Sequence, residues 1–422
     1  MAMVTHLLGL CLLCTSVVLA DDSSYVKLHY RTPYDLLFFS DFLVNATFGS
    51  SSEEVSMLLS LDSADLWVIA DNAVCYDNGT SEECPQAYGS YNFDSSNKVG
   101  GANDSSFEYP NYSSNDGFIN RGVWGEDKLS ISKDDVDLDD FKFGVVEKAN
   151  LTGQDPYGVL ALGFNSTSDD SSNLLSYLKA KGKINRRVVS FIHDNLTENT
   201  GYALLGAVDQ AKFVGDLQSL PMVNSNMYPS NSNFSSGKFQ AVLSELAINN
   251  LKSRTVVTKS SYPVVFTTNL DFVYLPPAVF ENLAILSNAN ISFANFIFDC
   301  PKYDSSIYIE FNFNGINVTI PYTSFMFSFV EDKCNLGFTV QEQGDFIVLG
   351  RSFLKSAYVG FDLDLSEVLL APRYYTSDEL IAVADASTGV PDVTKASAYS
   401  STSISSPTEV QATASAVKYS TA

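Results

Sequence analysis

The stretch Val55–Ala70, VSMLLSLDSADLWVIA, decides the fold. Two apolar runs, Val55–Leu61 and Leu66–Ala70, flank a short polar turn, and each has the length of a buried strand rather than of a helix. Comparable runs recur between turn residues along residues 38–375, and this spacing predicts an all-β protein. The best helix candidates are Ser171–Lys181 and Pro277–Leu286. The other strand-like runs are Val159–Leu162, Val188–Ile192, Tyr202–Leu205, Val264–Thr268, Ile347–Leu349 and Tyr358–Leu363.

The chain repeats one pattern in its two halves. An apolar run ending at Ser60 is followed about 99 residues later by Val159–Ala161. A second run ending at Thr267 is followed about 81 residues later by Val348–Gly350. Two halves built on one plan predict a bilobal molecule with a cleft between the lobes.

The composition of the chain limits which kinds of molecule it can bind. The 422 residues include 49 Asp and Glu against 25 Lys and Arg, a formal charge of -24. This length suits two or three modules with sizeable cores. The negative surplus argues against nucleic acid or anionic membrane as the main partner, because Lys and Arg neutralise phosphate in such complexes. It fits an acidic working environment.

The two ends of the sequence indicate secretion. Residues 1–20 have an apolar stretch that ends in Val18-Leu19-Ala20, which is typical of a signal peptide. The stretch has about 14 residues, fewer than the ~20 needed to span a membrane. Residues 379–422 become rich in Ser, Thr and Ala and predict a flexible tail. The chain carries no C-terminal anchor signal, so we expect secretion into the medium or cell wall and no membrane span.

Cysteines and glycosylation sequons agree with that route. Four cysteines follow the signal, which allows three pairings, and local pairing of Cys75 with Cys84 and of Cys300 with Cys334 is favoured. Ten sequons predict glycosylation: Asn45, Asn78, Asn103, Asn111, Asn150, Asn165, Asn195, Asn233, Asn290 and Asn317.

Several kinds of catalytic chemistry lack their motifs. The sequence has three histidines and no G-x-S-x-G elbow for a Ser-His-acid triad. It also lacks H-E-x-x-H, a P-loop and a dinucleotide-binding glycine motif. We therefore expect no metal site and no cofactor.

A series of motifs follows along the chain in this order: Asp65–Val68, Cys75, Cys84, Tyr91–Asp94, Gly122–Gly125, Gly158–Gly163, Tyr202–Val208, Phe213–Leu217, Tyr274–Pro277, Cys300, Cys334, Val348–Gly350 and Ser356–Val359. Together these motifs resemble the pepsin-like aspartic proteases, and the layout with its Ser/Thr tail is most similar to the fungal secreted branch of yapsins and barrier-type pepsins. After the signal at 1–20, the resemblance implies a vestigial prosegment-like stretch at 21–37, an N-terminal lobe at 38–195 and a C-terminal lobe at 196–378.

The resemblance also implies a reaction centre, and both of its loops are altered. Members of this family use one Asp from each lobe, each in an Asp-Thr/Ser-Gly loop, and the two carboxyls share a proton. Alignment on Asp65–Val68 puts Ser60-Leu61-Asp62 in the first loop. Counting back from Tyr274 puts Thr267-Thr268-Asn269 in the second. Hydroxyls thus replace both catalytic carboxylates, and we predict no catalytic residue.

Neighbouring acids do not obviously compensate. Asp62 lies two residues beyond Ser60, which is ~6–7 Å of extended chain, whereas a carboxyl pair must close to ~3 Å. Asp271 lies four residues beyond Thr267. We therefore expect the hydroxyls of Ser60 and Thr267 to face each other with no carboxylate between them. Two further departures from the family pattern are Ala161 in place of Gly and Arg351 in place of Asp.

These observations predict a secreted, catalytically inactive pseudoprotease that binds extended peptides in its cleft and acts as a monomer. Tyr112, or alternatively Tyr109, is the candidate for a tyrosine lying over bound peptide. One alternative is an active acid endopeptidase with a rearranged site that uses Asp62. Another is a structural glycoprotein of the cell wall or surface.

Overall fold

The computed structural model describes most of the chain from residue 24 to residue 400. The described ranges are 24–33, 41–49, 54–77, 80–92, 106–110, 119–131, 136–150, 157–164, 170–195, 198–223, 239–250, 253–287, 289–292, 295–299, 306–330 and 333–400. The predicted signal at 1–20, Tyr112 and Cys300 lie outside them, as do the sequons at Asn78, Asn103, Asn111, Asn165 and Asn233.

Strands dominate the described residues, which confirms the all-β prediction. Every apolar run singled out in the sequence lies in or overlaps a strand. The strands are β1 (Val26–Arg31), β2 (Leu43–Phe48), β3 (Glu54–Ser60), β4 (Trp67–Asp77), β5 (Thr80–Glu83), β6 (Ser106–Pro110), β7 (Ile119–Ile131), β8 (Val136–Asn150), β9 (Gly158–Ala161), β10 (Val188–His193), β11 (Thr200–Leu205), β12 (Ala207–Asp209), β13 (Gln218–Pro221), β14 (Gln240–Leu243), β15 (Glu245–Asn250), β16 (Ser253–Thr258), β17 (Tyr262–Phe266), β18 (Val273–Leu275), β19 (Asn290–Ser292), β20 (Asn295–Asp299), β21 (Tyr308–Phe313), β22 (Ile316–Pro321), β23 (Met326–Val330), β24 (Lys333–Val340), β25 (Ile347–Leu349), β26 (Ala357–Asp362), β27 (Glu367–Pro372), β28 (Ile381–Val383) and β29 (Thr394–Lys395).

Three α-helices accompany these strands in the described ranges: α1 (Leu174–Ala180), α2 (Pro277–Ser287) and α3 (Arg351–Ser356). The first two match the predicted segments. Helix α1 begins later than predicted because Asn173 caps it, its side chain accepting a hydrogen bond from the amide of Ser176 at 3.1 Å. The third was not predicted, since six residues are too few to show a helical pattern.

The strands form one large sheet and several smaller ones. The large sheet runs β29-β13-β27-β26-β10-β11-β1-β2-β3-β9-β4-β8-β7-β6, so strands from both halves of the chain meet in it. An eight-stranded sheet, β14-β17-β25-β18-β24-β20-β19 with β23, and a four-stranded sheet, β16-β15-β21-β22, come from the second half. The resulting fold is all-β and bilobal.

The internal repeat corresponds to a repeated strand pairing. Strand β3 runs parallel to β9, with Ser60 opposite Ala161. Strand β17 runs parallel to β25, and the amide of Thr267 donates to the carbonyl of Leu349 at 3.1 Å. Each lobe therefore holds one of the two loops at the end of a buried strand, directly beside a second strand.

The core is rich in aromatic side chains. The ring of Phe353 lies 6.1 Å from that of Phe266 and 5.0 Å from that of Phe311, measured between centroids. Edge and tilted contacts of this kind are favourable. Trp67 is buried, while Trp124 is only partly buried and packs edge-on against Phe107. This packing holds the strand ends that carry the loops.

Two predicted domain boundaries differ from the structure. Strand β1 lies between β11 and β2 in the large sheet, so Val26–Arg31 of the prosegment-like stretch 21–37 is part of the fold. The prediction of a flexible tail from residue 379 is wrong up to residue 400. Strand β28 pairs with β12 and β29 with β13, and Ala384 and Ala396 are buried. A few buried residues, such as Ala384 and Ala396, hold this segment against the rest of the fold, although most of its residues are small or polar.

The predicted disulfides and sequons are partly described. Cys75 and Cys84 form a disulfide with a Cα–Cα distance of 4.9 Å, and Cys334 is also disulfide-bonded. Among the sequons, Asn317 is exposed, while Asn45 and Asn195 are partly buried. Asn150 and Asn290 lie on strands, at the end of β8 and the start of β19.

Candidate functional site

The loops at Ser60–Asp62 and Thr267–Asn269 meet where the lobes face each other. Ser60 ends β3, and Thr267 directly follows β17. The amide of Leu61 donates to the hydroxyl of Thr268 at 3.0 Å, which ties the first loop to the second. The structure thus brings Ser60 and Thr267 into one site.

Four side chains in this site form a crossed hydrogen-bond pattern. The hydroxyl of Ser60 donates to Oδ1 of Asn269 at 3.0 Å. The hydroxyl of Thr267 donates to Oδ2 of Asp62 at 2.5 Å. Within each loop the same hydroxyl accepts from an amide two residues on, Asp62 to Ser60 at 3.1 Å and Asn269 to Thr267 at 3.0 Å. The hydrogen bonds of the two loops are therefore equivalent, as an approximate two-fold axis would relate them. The loops differ in that the first presents the carboxyl of Asp62 and the second the carboxamide of Asn269.

The expectation that no carboxylate lies between the hydroxyls is wrong. It assumed extended chain from Ser60 to Asp62, but the chain bends there. Because the amide of Asp62 turns back to the hydroxyl of Ser60, its side chain is directed across to Thr267. Asp271, the other acid considered, forms an ion pair with Arg351 at 2.6 Å.

Exposure separates the hydroxyls from the residues that bind them. Ser60 is 0% exposed and Thr267 is 3% exposed. Asp62 is partly exposed, and Asn269 is exposed. The surface of the site is therefore formed by Asp62 and Asn269, with the two hydroxyls beneath them. Sequence reasoning assigned no role to Asn269, although its place two residues after Thr267 matches that of Asp62 after Ser60.

Burial controls the charge of Asp62. It raises the pKa of this carboxyl to about 6, because the charged form loses water. The hydroxyl of Thr267, the amide of Asn269 and the charge of Arg351 act in the opposite direction. Asp62 is therefore a neutral acid at acidic pH and a carboxylate at neutral pH.

A buried arginine supports the second loop from below. Arg351, at the start of α3, is 2% exposed and forms ion pairs with Asp271 at 2.6 Å and with Asp41 at 2.8 Å. It also donates to the carbonyl of Thr268. The hydroxyl of Tyr157 donates to the second oxygen of Asp41 at 2.7 Å. Asp41 precedes β2 in the first half, so this network joins residues of both halves.

The charges in this network influence one another. Burial opposes the charge of Arg351, but the carboxylates of Asp271 and Asp41 outweigh it and raise the pKa of the guanidinium. Burial and the nearby charge of Arg351 lower the pKa of Lys355, one turn further along α3, to about 8. Arg351 thus stays ionised and is a fixed cation beneath the second loop.

The remaining predictions concern the tyrosine over bound peptide, metal sites and membrane spans. Tyr112 lies outside the described ranges, and Tyr109 lies on β6. Across the described residues, no cluster of His, Cys, Asp and Glu is suited to a metal ion. A search of the helices in those same ranges finds none with the length and apolar character of a membrane span.

Comparison with known proteins gives a consistent result. Aspartic proteinase yapsin-3 of Saccharomyces cerevisiae is 29% identical over 381 residues, covering 86% of this chain and 72% of the relative. Barrierpepsin of the same yeast is 28% identical over 363 residues, covering 79% and 60%. Secreted aspartic protease 9 of Candida albicans is 29% identical over 314 residues, covering 71% and 55%. This chain therefore spans just over half to nearly three quarters of the length of these relatives.

A family-level match agrees with these relatives. The model described as eukaryotic aspartyl protease matches residues 41–373, a range that includes both loops, the Cys75–Cys84 disulfide and Arg351. Since that match covers well over half of the sequence, the chain belongs to the eukaryotic aspartyl protease family.

Proposed function

We propose that this protein is a secreted pseudoprotease that binds extended peptides in the cleft between its lobes without hydrolysing them. The observation that carries the proposal is the crossed arrangement of Ser60, Asp62, Thr267 and Asn269. It supplies one carboxyl where the reaction requires two.

The chemistry of the pair supports inactivity. Acid proteolysis by this family requires one carboxylate to deprotonate water and one carboxylic acid to protonate the carbonyl oxygen. Here Asp62 could serve as one of them, but Asn269 does not titrate and cannot be the other. The hydroxyls of Ser60 and Thr267 are too weakly acidic, and they are buried. Loss of residues that act as a unit typically costs about 10⁴–10⁶ in kcat.

The pair of partly exposed Asp62 and exposed Asn269 suits recognition of a peptide unit. Ionised Asp62 accepts hydrogen bonds, and the carboxamide nitrogen of Asn269 donates them. An extended peptide offers a backbone N–H and a carbonyl to such a pair, in addition to any strand-like pairing along the cleft. We infer that Asp62 and Asn269 form the polar floor on which the peptide backbone rests.

Secretion is the compartment we propose. A relative carries the name secreted aspartic protease, and the Cys75–Cys84 disulfide fits an oxidising compartment. The signal-like sequence at residues 1–20 points the same way. We also propose that the protein is a monomer and needs no cofactor.

The experiment is a paired assay on the purified, secreted protein. Fluorescence polarisation with a library of extended peptides should detect saturable binding, and mass spectrometry of the same mixtures at pH 3–7 should detect no cleavage. Cleavage that a statine-type inhibitor blocks would refute the pseudoprotease. Failure of every peptide to bind would instead support the alternative of a structural wall or surface glycoprotein.

One observation favours an active enzyme as the second candidate. Burial raises the pKa of Asp62 to about 6, which is the range in which a carboxyl can exchange a proton. If Asp62 is the centre of a rearranged site, D62A abolishes any turnover that the wild type shows. Turnover that survives D62A would reject this candidate and would point to a contaminating protease.

A further inference from the structure

Strands β1 and β2 separate soon after they meet. Strand β1 pairs with β11 at six positions from Val26 to Arg31. On its other side it pairs with β2 at only one position, Arg31 opposite Leu43. Strand β2 then turns away to pair with β3 and with β7, where Ala46–Phe48 lie opposite Leu129–Ile131. A fissure opens between β1 and β2.

The fissure forms a groove of about 510 Å³. Tyr30 and Ala46 border the groove but are only 3% and 2% exposed, so they offer little apolar surface to it. His29, Glu54 and Thr200 contribute polar groups. A groove with hydrogen-bonding walls matches the hydroxylated edges of a saccharide.

Asn45 lies in the lining of this groove and belongs to the sequon Asn45-Ala46-Thr47. Its Oδ1 accepts from the hydroxyl of Ser56 at 2.8 Å, and that hydroxyl also accepts from Arg31 at 2.8 Å. Its Nδ2 donates to Glu54 at 3.0 Å. The amide is therefore oriented, and Nδ2 carries a second hydrogen that a glycosidic bond can replace while the bond to Glu54 remains.

We propose that Asn45 carries an N-linked glycan whose first sugars lie in the groove between β1 and β2. The modification transfers an oligosaccharide from a lipid-linked sugar diphosphate. The bond from the anomeric carbon to the diphosphate oxygen breaks, the bond from that carbon to Nδ2 forms, and the Nδ2 proton leaves with the diphosphate. The proposal rests on passage through the secretory pathway, which is part of the proposed function, and it is independent of the cleft.

The position of the groove gives the glycan a structural role. Most of one edge of β1 lies outside the ladder with β2, and an open strand edge is a site at which another chain can add. A bulky glycan attached to β2 and lying over this fissure blocks such addition. The glycan thus protects the large sheet at the point where its strands separate.

Asn317 provides a matched control within the same molecule. It lies on β22, opposite Asn312 in a regular hairpin with β21, and its side chain is exposed. Its sequon, Asn317-Val318-Thr319, ends in Thr like that of Asn45. A glycan at Asn317 therefore extends from an exposed side chain on a regularly paired strand.

The test is site-resolved deglycosylation of the protein secreted from a eukaryotic host. Under native conditions a peptide N-glycosidase should release the Asn45 glycan at least about tenfold more slowly than the Asn317 glycan, because local opening must precede cleavage. After denaturation the two rates should be similar. T47A, which removes the sequon and keeps Asn45, should lower the midpoint of thermal unfolding, whereas T319A should not.

The outcomes separate this proposal from the one it rests on. An unmodified Asn45 beside a modified Asn317 overturns the glycan proposal and leaves secretion intact. Equal native release rates, or no difference between T47A and T319A in thermal unfolding, also overturn it. A protein that is retained in the cell with no sequon modified overturns both.

Discussion

The loop at Ser60–Asp62 and the loop at Thr267–Asn269 share one backbone plan and differ in their support. Each follows a strand that pairs in parallel with a later strand, and each folds an amide back onto its first hydroxyl. The second is additionally held by Arg351 through the carbonyl of Thr268 and through Asp271. The two loops thus share one backbone arrangement although one presents a carboxyl and the other a carboxamide, because both follow paired strands.

The largest effect should come from the support that only the second loop has. R351M leaves Asp41 and Asp271 without their cation in a buried site, and loss of one partner of a buried ion pair costs about 3–5 kcal/mol. The free energy of unfolding, measured by urea denaturation at pH 7, should fall by that amount.

Arg351→Lys is the matched control, since it keeps the charge but not the planar fork that reaches two carboxylates and a carbonyl. It should lose less stability than R351M. If R351M changes the free energy of unfolding by less than about 1 kcal/mol, the network does not support the loop.

The next effect concerns Asp62, the carboxyl that only the first loop has. The pKa of Asp62 in the fold, about 6, is above its ordinary value of 3.8, so the native state binds the carboxyl proton more tightly than the unfolded chain does. Stability therefore falls as pH rises from about 4 to about 6, by up to about 3 kcal/mol. D62N, which keeps an acceptor for Thr267, should flatten this slope and stabilise the protein at pH 7.

Asp364 supplies a control of opposite sign. Although burial opposes it, hydrogen bonds from Lys179 and Arg187 lower its pKa to about 2. Its contribution is present at neutral pH and is lost as pH falls below about 4, so D364N should destabilise at pH 7 where D62N stabilises. The denaturation midpoint of each variant, measured relative to the wild type at pH 3, 5 and 7, should rise with pH for D62N and fall with pH for D364N. Parallel changes would contradict the assigned charge states.

The smallest effect concerns the bond between the loops. T268V removes the acceptor of the Leu61 amide in a buried site, which should cost about 1–2 kcal/mol. T268S keeps the hydroxyl and should cost less. Thermal unfolding of the two variants at one pH measures the difference, and equal values would show that this bond does not join the loops.

Particular residues show how far the sequence alone predicts this site. The apolar runs into Ser60 and Thr267, and the later runs that pair beside them, predict the two loops and their hydroxyls. The return of Asp62 toward Thr267 was not predicted, because it depends on the bend of the loop and on the approach of the other lobe. The link from Arg351 to Asp41 has the same origin, since no local pattern joins residues so distant in the chain.

The docked segment up to residue 400 shows a limit of composition. A stretch rich in Ser, Thr and Ala resembles a linker, yet Ala384 and Ala396 are buried against the sheet. Small residues carry little hydrophobic signal in the sequence, although they pack closely where strands β28 and β29 pair.

The central proposal is that the protein does not hydrolyse peptides because neither position 60 nor position 267 is Asp, while the strand pairs that hold both loops are present. Its most direct test is peptide cleavage at acid pH by a variant with both loops restored, S60D/L61T/D62G/T267D/N269G, beside the wild type. We predict no detectable cleavage by the wild type, and statine-sensitive cleavage by the variant at least about 10⁴-fold above the wild-type background. Statine-sensitive cleavage by the wild type itself would contradict the claim, and so would a folded variant that remains inactive.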